Sequence, residues 1–549
     1  MNKGQGITAF GVQNKDGAIA KFNTAEKAYQ QTPFTGFRTF VKGKRGGSGE
    51  SFEHMPFFPN APATGKSKPV RTMKIGMNEM EIEETATEYG LKTNVLYFTV
   101  PGESFAALVR KVTFTNLDSR SGSPLTLDVL DGLGKVQPSG ISNLNLDAIG
   151  RTMEAWMNVY NVAPDGEIRE PFFHISQDTG DTAQVQIIKS GHFAIAFIED
   201  GDDSNPDLDS LHTPLPFIVD PSVVFDVDTS LMNPSGFFGT GSPLAEDITK
   251  QPQGTTSKTP CAFAAATLTI PPGGSVTITS IYGHADNLQT FTSSYSPLLR
   301  TKGFVSSKRL AASELVDSIT DKVLTSTGSY LFDSYIKQNF LDNTLRGGLP
   351  LSLGDTANRK IYHTYSRIHG DLERDYNNFQ FEAGFFSQGP GNFRDVTQNR
   401  RMDVMLSPEV GDFNVRMFLS LIQADGYNPL TVATTNFKIP SQSVSSVMNS
   451  VQYVNGADNT SMSKILSKSF RIGSLFSDIK AAGIVLNTPK EEFLKKVVTA
   501  AKQDFAGQFS QNGFWADVST AVLVIKEDRI KNYEYSLFLH VFTIPFLRE

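Results

Sequence analysis

The densest chemistry in the chain sits between Arg394 and Arg401, where Arg394, Asp395, Gln398 and Arg401 follow one another closely. On a helix starting at Phe393, Arg394, Gln398 and Arg401 fall on one row at i, i+4 and i+7, with Asp395, Asn399 and Met402 on the neighbouring row. Guanidinium, carboxylate and amide groups on one face offer donors and acceptors together. A sugar hydroxyl needs that combination, because it both donates and accepts. Upstream, the run His369–Asp375 (HGDLERD) adds Arg374 and Asp375, and Phe385 and Phe386 supply apolar surface for a pyranose ring. The competing reading is an ion-pair network pinning loops to a helical core, and residue types alone weigh the two evenly.

Other chemistries find less support. The chain has no HExxH, no GxxxxGK[ST] and no GxSxG element. Cys261 is the lone cysteine, in the strand-like run CAFAAATLTI, and reads as core rather than nucleophile. It forms no intrachain disulfide. His192 and His284 read as structural, and His363 and His369 lack further ligands at metal-binding spacing, so no metal is expected. The carboxylates of Glu199–Asp209 lack the fixed spacing of a calcium loop and read as a solvated insertion. Trp156 reads as a core residue before a sugar-stacking one.

The elements that must position these groups change character along the chain. From residue 71 the pattern is that of strands: Met73, Ile75 and Met77 alternate with polar residues, and Leu96–Val100 ends at Pro101-Gly102. Leu108, Arg110, Val112 and Phe114 share one parity, and Leu125, Leu127 and Val129 repeat the alternation as far as Asp131-Gly132. Val185 and Ile187 with Phe193, Ile195 and Phe197 read as an antiparallel pair. Leu268–Tyr282 reads as the clearest hairpin, reversing at Pro271-Pro272-Gly273-Gly274. Many short strands broken by Gly, Pro and Asp predict a large β-sandwich. Near residue 300 helical spacing takes over, with a stripe through Leu315, Ile319, Val323, Phe332, Ile336 and Phe340 that stops at Gly347-Gly348. Beyond it, Asp412 is placed as an N-cap, Phe413–Asp425 as a buried helix and Gly426 as its stop. Ser441–Thr460 reads as a long loop, and Pro489–Leu494 as a helix start.

Length and charge bound the class. A chain of 549 residues holds several domains, and a net charge of −7 without a basic face excludes a nucleic-acid footprint. No run of about 18 apolar residues occurs, so no membrane span is expected. MNKGQGITAF lacks the apolar centre of a signal peptide. A cytoplasmic protein is the expectation.

Several segments together resemble the inverting glycoside phosphorylases of the cellobiose phosphorylase type, nearest to the beta-1,3-glucan (laminarin) phosphorylases. They are Leu96–Pro101 (LYFTVP) with Leu108–Val112 (LVRKV), Leu341–Pro350 (LDNTLRGGLP), His369–Asn377 (HGDLERDYN), Asn392–Asp403 (NFRDVTQNRRMD) and Gly411–Pro429 (GDFNVRMFLSLIQADGYNP). The resemblance implies a multidomain β plus α chain: a β-sandwich over residues 1–300, a helical linker over 301–345, and a partial (α/α)6 barrel over 346–549. It implies phosphorolysis of a beta-linked glucan to glucose 1-phosphate, with inorganic phosphate as co-substrate and no other cofactor. One carboxylic acid would protonate the glycosidic oxygen while phosphate attacks the anomeric carbon from the opposite face. Arg394 and Asp395 would hold the transferred ring with Gln398 beside them, and Arg374, Asp375, Phe393 and Arg401 would line the site. A homodimer is compatible with it.

The departure from the pattern is specific. The family's catalytic acid lies in a later segment of the form GDWND, which this sequence lacks. Gln511–Asp517 (QNGFWAD) resembles the start of a family helix, but the sequence from Val518 does not continue it. The barrel is therefore expected to be only partly encoded and the catalytic acid is unassigned. The alternatives are a non-catalytic glycan-binding or scaffold protein of that ancestry, and an inverting glycoside hydrolase.

Overall fold

The structure is a computed structural model that describes residues 17–20, 30–31, 33–46, 51–58, 68–118, 123–177, 183–185, 187–199, 207–365, 386–423, 426–454, 459–505 and 507–508. The chain divides into two compact units, Met1–Asp317 and Ser318–Glu549. Their described residues mix large antiparallel sheets with helices, as the sequence predicts.

In the first unit the strands are β1 (Phe37–Arg45), β2 (Ser51–His54), β3 (Val70–Ile75), β4 (Glu79–Ala86), β5 (Leu91–Thr99), β6 (Ala107–Asn116) and β7 (Leu125–Leu133). They continue with β8 (Met157–Tyr160), β9 (Phe172–Ile175), β10 (Gly191–Ile198), β11 (Asp207–Leu211), β12 (Phe217–Ile218), β13 (Ala262–Ile270) and β14 (Ser275–Ala285). An eight-stranded sheet runs β3-β4-β5-β6-β14-β10-β9-β8, and a five-stranded sheet runs β12-β13-β7-β1-β2. Between them lies one apolar cluster, with Val95, Tyr97, Val112 and Ile278 from the larger sheet and Leu127, Val129 and Leu268 from the smaller. The opposite parity is also apolar. Leu96, Phe98 and Val109 pack under Phe291, Leu299 and Phe304, while Phe40, Leu130 and Phe263 pack under Phe225, Phe237 and Ile248. Helices and loops cover both outer faces, so the central strands read as near-continuous hydrophobic runs rather than clean alternations.

Arg110 shares the interior parity and is fully buried. Its Nε lies 3.1 Å from Asp131 Oδ2 and one terminal nitrogen donates to Asp131 Oδ1 at 2.7 Å. It also donates to Thr39 Oγ1 at 2.9 Å and to the Tyr97 hydroxyl. Arg110 and Tyr97 belong to the larger sheet and Thr39 and Asp131 to the smaller, so this network bolts the two together. Burial is the main influence on the Tyr97 phenol and pushes it up to about 12.

Two strand expectations are corrected. The turn after Ile270 is tight, with Gly273 at φ 70° and the Gly274 N–H donating to the Pro271 carbonyl at 2.9 Å, but it makes no hairpin. Strand β13 pairs with β7 and β14 with β6, in different sheets. Asn116 explains the crossing: its N–H donates to the Gly274 carbonyl and its own carbonyl accepts from the Gly273 N–H. This ties the turn to β6, and Leu268 and Ile278 meet across the sandwich instead of side by side. Val185 and Ile187 do not pair with β10. They are exposed, and among the described residues Ile187 bridges Gln177, while β10 lies between β14 and β9.

The second unit carries short helices and two-stranded ribbons around a core of Phe437, Val444, Leu466, Leu475, Phe493 and Val497. The stripe expected over 313–340 is broken. One helix spans Phe304–Thr320 and another Tyr330–Gly347, the latter capped by Ser329 and stopped at Gly348, φ 95°. The helix from Phe413 ends at Ser420 rather than Asp425, and the Asp412 side chain makes no capping bond to it. Ser441–Ser450 is a helix, not a loop, because Val444 and Val447 at i and i+3 bury one face. Lys490–Ala500 is a helix with Glu491 and Glu492 in its first turn, as expected.

Cys261 is fully buried, its thiol 3.4 Å from the Ile218 carbonyl and pushed well up by burial, consistent with a core residue. Trp156 packs beside Met153, Met157 and Ile175. Of the acidic insertion, Glu199 pairs with Lys111 at 2.9 Å, and residues 200–206 lie outside the described residues. No group of three His, Cys, Asp or Glu side chains converges on a metal site among the described residues. No described helix is long and apolar enough to cross a membrane.

Candidate functional site

The second unit holds a cleft of about 370 Å³ between the helix Tyr330–Gly347 and the segment that follows Phe393. Two local features set it. Phe393 and Val396 bury one side of the helix Phe393–Asn399 against Met417, Phe418 and Val432. Gly347 lets the longer helix come close, since a Cβ there would lie 2.8 Å from Asn399 Cβ. The remaining side, with the turn Arg400–Met402 and the short helix Asp403–Leu406 after it, then lines the cleft.

The lining is amphipathic. Val323, Ile336, Phe340, Leu349 and Leu406 form apolar walls, and Asn339, Asn343, Gln398 and Asn399 offer amides. Three charged groups join them: Lys322, Arg401 and Asp403. Lys322 Nζ donates to Ser407 Oγ at 2.9 Å, and the Ser407 N–H donates to the Asp403 carbonyl, so the lysine is anchored one helical turn from that aspartate.

Asp403 is held from behind. His363 Nε2 lies 2.8 Å from its Oδ2, and Asn414 Nδ2 donates to the same oxygen at 3.0 Å. The other oxygen, Oδ1, is the one left to accept from a ligand; the side chain is 11% exposed. His363 stands on the strand Lys360–Thr364, which pairs with Leu349–Leu353 and so brings it to the cleft's back wall. It is buried, and burial first, then the nearby Arg400 charge, push its imidazole down to about 4 against the pull of Asp403. His363 is therefore neutral near pH 7, where Nε2–H donates to Asp403. Arg400 is buried too, donating to the Gly347 carbonyl at 2.6 Å, and burial lowers it to about 10 even though Asp403 favours its charge. The arrangement presents a fixed carboxylate as an acceptor.

The residues singled out in the sequence divide. Gln398 and Arg401 line the cleft. Phe393 is fully buried in the core beneath it. Arg394 is largely exposed, with a 58% exposed side chain, and its contacts to Asp395 Oδ1 are long, 3.3 and 3.4 Å. Asp395 is buried in the first turn of its helix, where it accepts from Asn392 Nδ2 at 3.2 Å and complements the helix N-terminus. Neither Arg394 nor Asp395 is among the cleft's lining residues. Arg374, Asp375, Phe385, His369 and Gln511–Asp517 lie outside the described residues. Of the expected stripe, Ile336 and Phe340 line the cleft while Phe332 is exposed.

Asp403, His363, Asn414 and Lys322 carry no local signal of a shared site, and His363 reads from the sequence only as a histidine without metal-binding company. Asp403 stood at the end of the same polar run, but His363 is 40 residues away and Lys322 farther still. No local spacing announces a pair made by a strand crossing behind a helix.

No protein family and no curated protein matches this chain. Among solved structures it is similar to a polysaccharide lyase, at 11% identity and TM-score 0.26, over 52% of this chain and 30% of that one. It is similar to a bacterial glucoamylase complexed with acarbose, at 10% identity and TM-score 0.31, over 76% and 47%. It is also similar to a human-microbiome protein assigned as a kojibiose phosphorylase, at 8% identity and TM-score 0.23, over 71% and 41%. The chain thus spans less than half the length of each.

Proposed function

We propose that the second unit binds a carbohydrate in the cleft between Tyr330–Gly347 and Arg401–Asp403, and that the chain derives from inverting glycoside phosphorylases acting on beta-linked glucans. The observation that supports this most is the pairing of apolar walls with amides and one oriented carboxylate, because sugar rings present apolar faces and hydroxyls that both donate and accept. In this reading Asp403 Oδ1, Gln398, Asn339 and Asn343 meet ring hydroxyls. Arg394 and Asp395, on the same short helix as Gln398, hold the transferred ring, with Arg374, Asp375 and the rest of a partial (α/α)6 barrel completing the site. Inorganic phosphate is the second substrate and glucose 1-phosphate the product.

A second reading, glycan binding without turnover, is favoured by the chemistry of Asp403. Two donors fill one of its oxygens, a geometry that fixes the side chain as a hydrogen-bond acceptor for a ring hydroxyl. The experiment is incubation of the full chain with laminari-oligosaccharides and inorganic phosphate. Glucose 1-phosphate is expected under the phosphorolytic reading, and saturable binding without product under the second. Reducing sugar formed independently of phosphate would instead indicate hydrolysis. Asp403→Ala is expected to weaken oligosaccharide binding on the order of tenfold, the worth of one charge-assisted hydrogen bond. Unchanged binding in both Asp403→Ala and Asp395→Ala would remove the site from this part of the unit.

A further inference from the structure

The two walls of the cleft run side by side from one helix crossing. At one end Gly347 meets Asn399, and Arg400 Nε donates to the Gly347 carbonyl at 2.6 Å. At the other end the turn Asp321–Val323 bridges the walls. Lys337 Nζ lies 3.7 Å from Asp321 Oδ1, and Lys322 Nζ donates to Ser407 Oγ at 2.9 Å. Following each wall outward from the crossing therefore orders the lining along the cleft. Near the crossing stand the amides of Asn343, Gln398 and Asn399 with Leu349 among them, a mixture that suits a pyranose. Asn399 Nδ2 is buried there without a hydrogen-bond partner among the described residues, and a ring hydroxyl would supply its acceptor. Asn339 and Asp403 come about one helical turn farther out.

Beyond them the character of the lining changes. Val323, Ile336, Phe340, Met402 and Leu406 line this part, and its polar groups, Lys322 and Ser407, are turned on each other. Val323, Ile336, Phe340 and Leu406 are only half-buried and Met402 is exposed, so apolar surface stands open beside the place for the ring. Ile336 lies about 10 Å along the helix from Asn343, a length that one ring does not fill. A second sugar would bring its hydroxyls against this wall and strip their water without replacing those hydrogen bonds. An alkyl or aryl group has no such bonds to lose and gains by leaving water.

We propose that the cleft takes an amphipathic glycoside: a sugar ring at the crossing end and, on its anomeric oxygen, an alkyl or aryl aglycone against Val323, Ile336, Met402 and Leu406. The inference rests on the carbohydrate reading for the ring, but not for the apolar group.

The test is calorimetric titration of the full chain with methyl, octyl and phenyl β-glucosides, laminaribiose and 1-octanol, each amphiphile below its micellar concentration. Octyl or phenyl β-glucoside is expected to bind at least about tenfold tighter than methyl β-glucoside, the worth of about two buried methylenes, and tighter than laminaribiose. Which of the two gains more identifies the aglycone as alkyl or aryl. Ile336→Gln is expected to bring the preferred aglycone's advantage over methyl down to about one. Met402→Gln, at an exposed position, should lower it in the same direction, and melting temperatures check that both variants fold. Equal binding of the three glucosides, tighter binding of laminaribiose than of either amphipathic glucoside, or a preference that survives both variants overturns the aglycone subsite and leaves the carbohydrate reading standing. Binding of 1-octanol as tight as that of octyl β-glucoside, with none of methyl β-glucoside or laminaribiose, would instead overturn the carbohydrate reading and leave the apolar subsite standing. Absence of binding by every ligand overturns both.

Discussion

His363 shows how burial converts an ordinary side chain into a fixed donor. In the unfolded chain its imidazole takes a proton near its usual value of 6.5, whereas in the folded unit burial and Arg400 hold it near 4. The unfolded state therefore binds more protons below about pH 6.5, and stability contributed through this residue falls as pH drops from there towards 4. That shift corresponds to on the order of 3 kcal/mol across the window. His363→Gln keeps an N–H donor for Asp403 but removes the titration. Urea denaturation at pH 7 and pH 4.5 is expected to show a smaller loss of stability in the variant than in the parent. An identical loss in both would mean that His363 is not buried neutral. The same pair explains why a carboxylate near the end of a polar run differs from its neighbours: Arg394 and Asp395 reach mainly each other, while Asp403 is clamped by two donors from different elements.

At the scale of elements, the cleft exists because two helices meet over a glycine. Gly347→Ala would place a methyl carbon 2.8 Å from Asn399 Cβ, with backbone atoms just behind it, so the helices must move apart. We expect a loss of about 1–3 kcal/mol in stability, typical of overpacking, together with weaker oligosaccharide binding, because Asn399 and Asp403 shift with their segment. Full retention of both would show that the helix contact does not shape the site. What was legible in the sequence follows the same division. Alternating runs such as Leu108–Phe114 and Leu125–Val129 announced strands because period-two burial is a local property. The parity even put Arg110 on the interior face. The destination of a strand is not local, and so the turn at Pro271–Gly274 read as a hairpin although Asn116 steers its strands into separate sheets. Likewise the helix at Ser441–Ser450 was hidden by its Ser and Asn content, since those residues favour caps and loops unless tertiary burial of Val444 and Val447 overrides them. Of the row expected from helical spacing, Gln398 and Arg401 line the cleft and Arg394 does not, because the helix stops at Asn399 and Arg400–Met402 is a tighter turn, whereas His363 and Lys322 depend on contacts between distant segments.

At the scale of the molecule, each unit is organised around its own interior. The sandwich interior joins two sheets through Val95, Leu127 and Ile278 and is crossed by the Arg110–Asp131 network, all within the first unit. The interior built on Phe437, Leu475 and Phe493 lies wholly in the second. Independent cores of this size unfold as separate cooperative blocks. Scanning calorimetry of the full chain is therefore expected to resolve two transitions, and two perturbations should assign them. Asp131→Ala leaves a fully buried guanidinium without its carboxylate, a change that costs about 3–5 kcal/mol, and should lower only the transition of the first unit. A laminari-oligosaccharide at 100 times its dissociation constant should add about 2.7 kcal/mol, and only to the transition of the second unit, because only the folded cleft binds it. A single transition moved by both perturbations would contradict the division into two blocks. Two transitions with the ligand acting on the sandwich would keep the division but relocate the carbohydrate site, since a ligand stabilises the block whose folded state it binds.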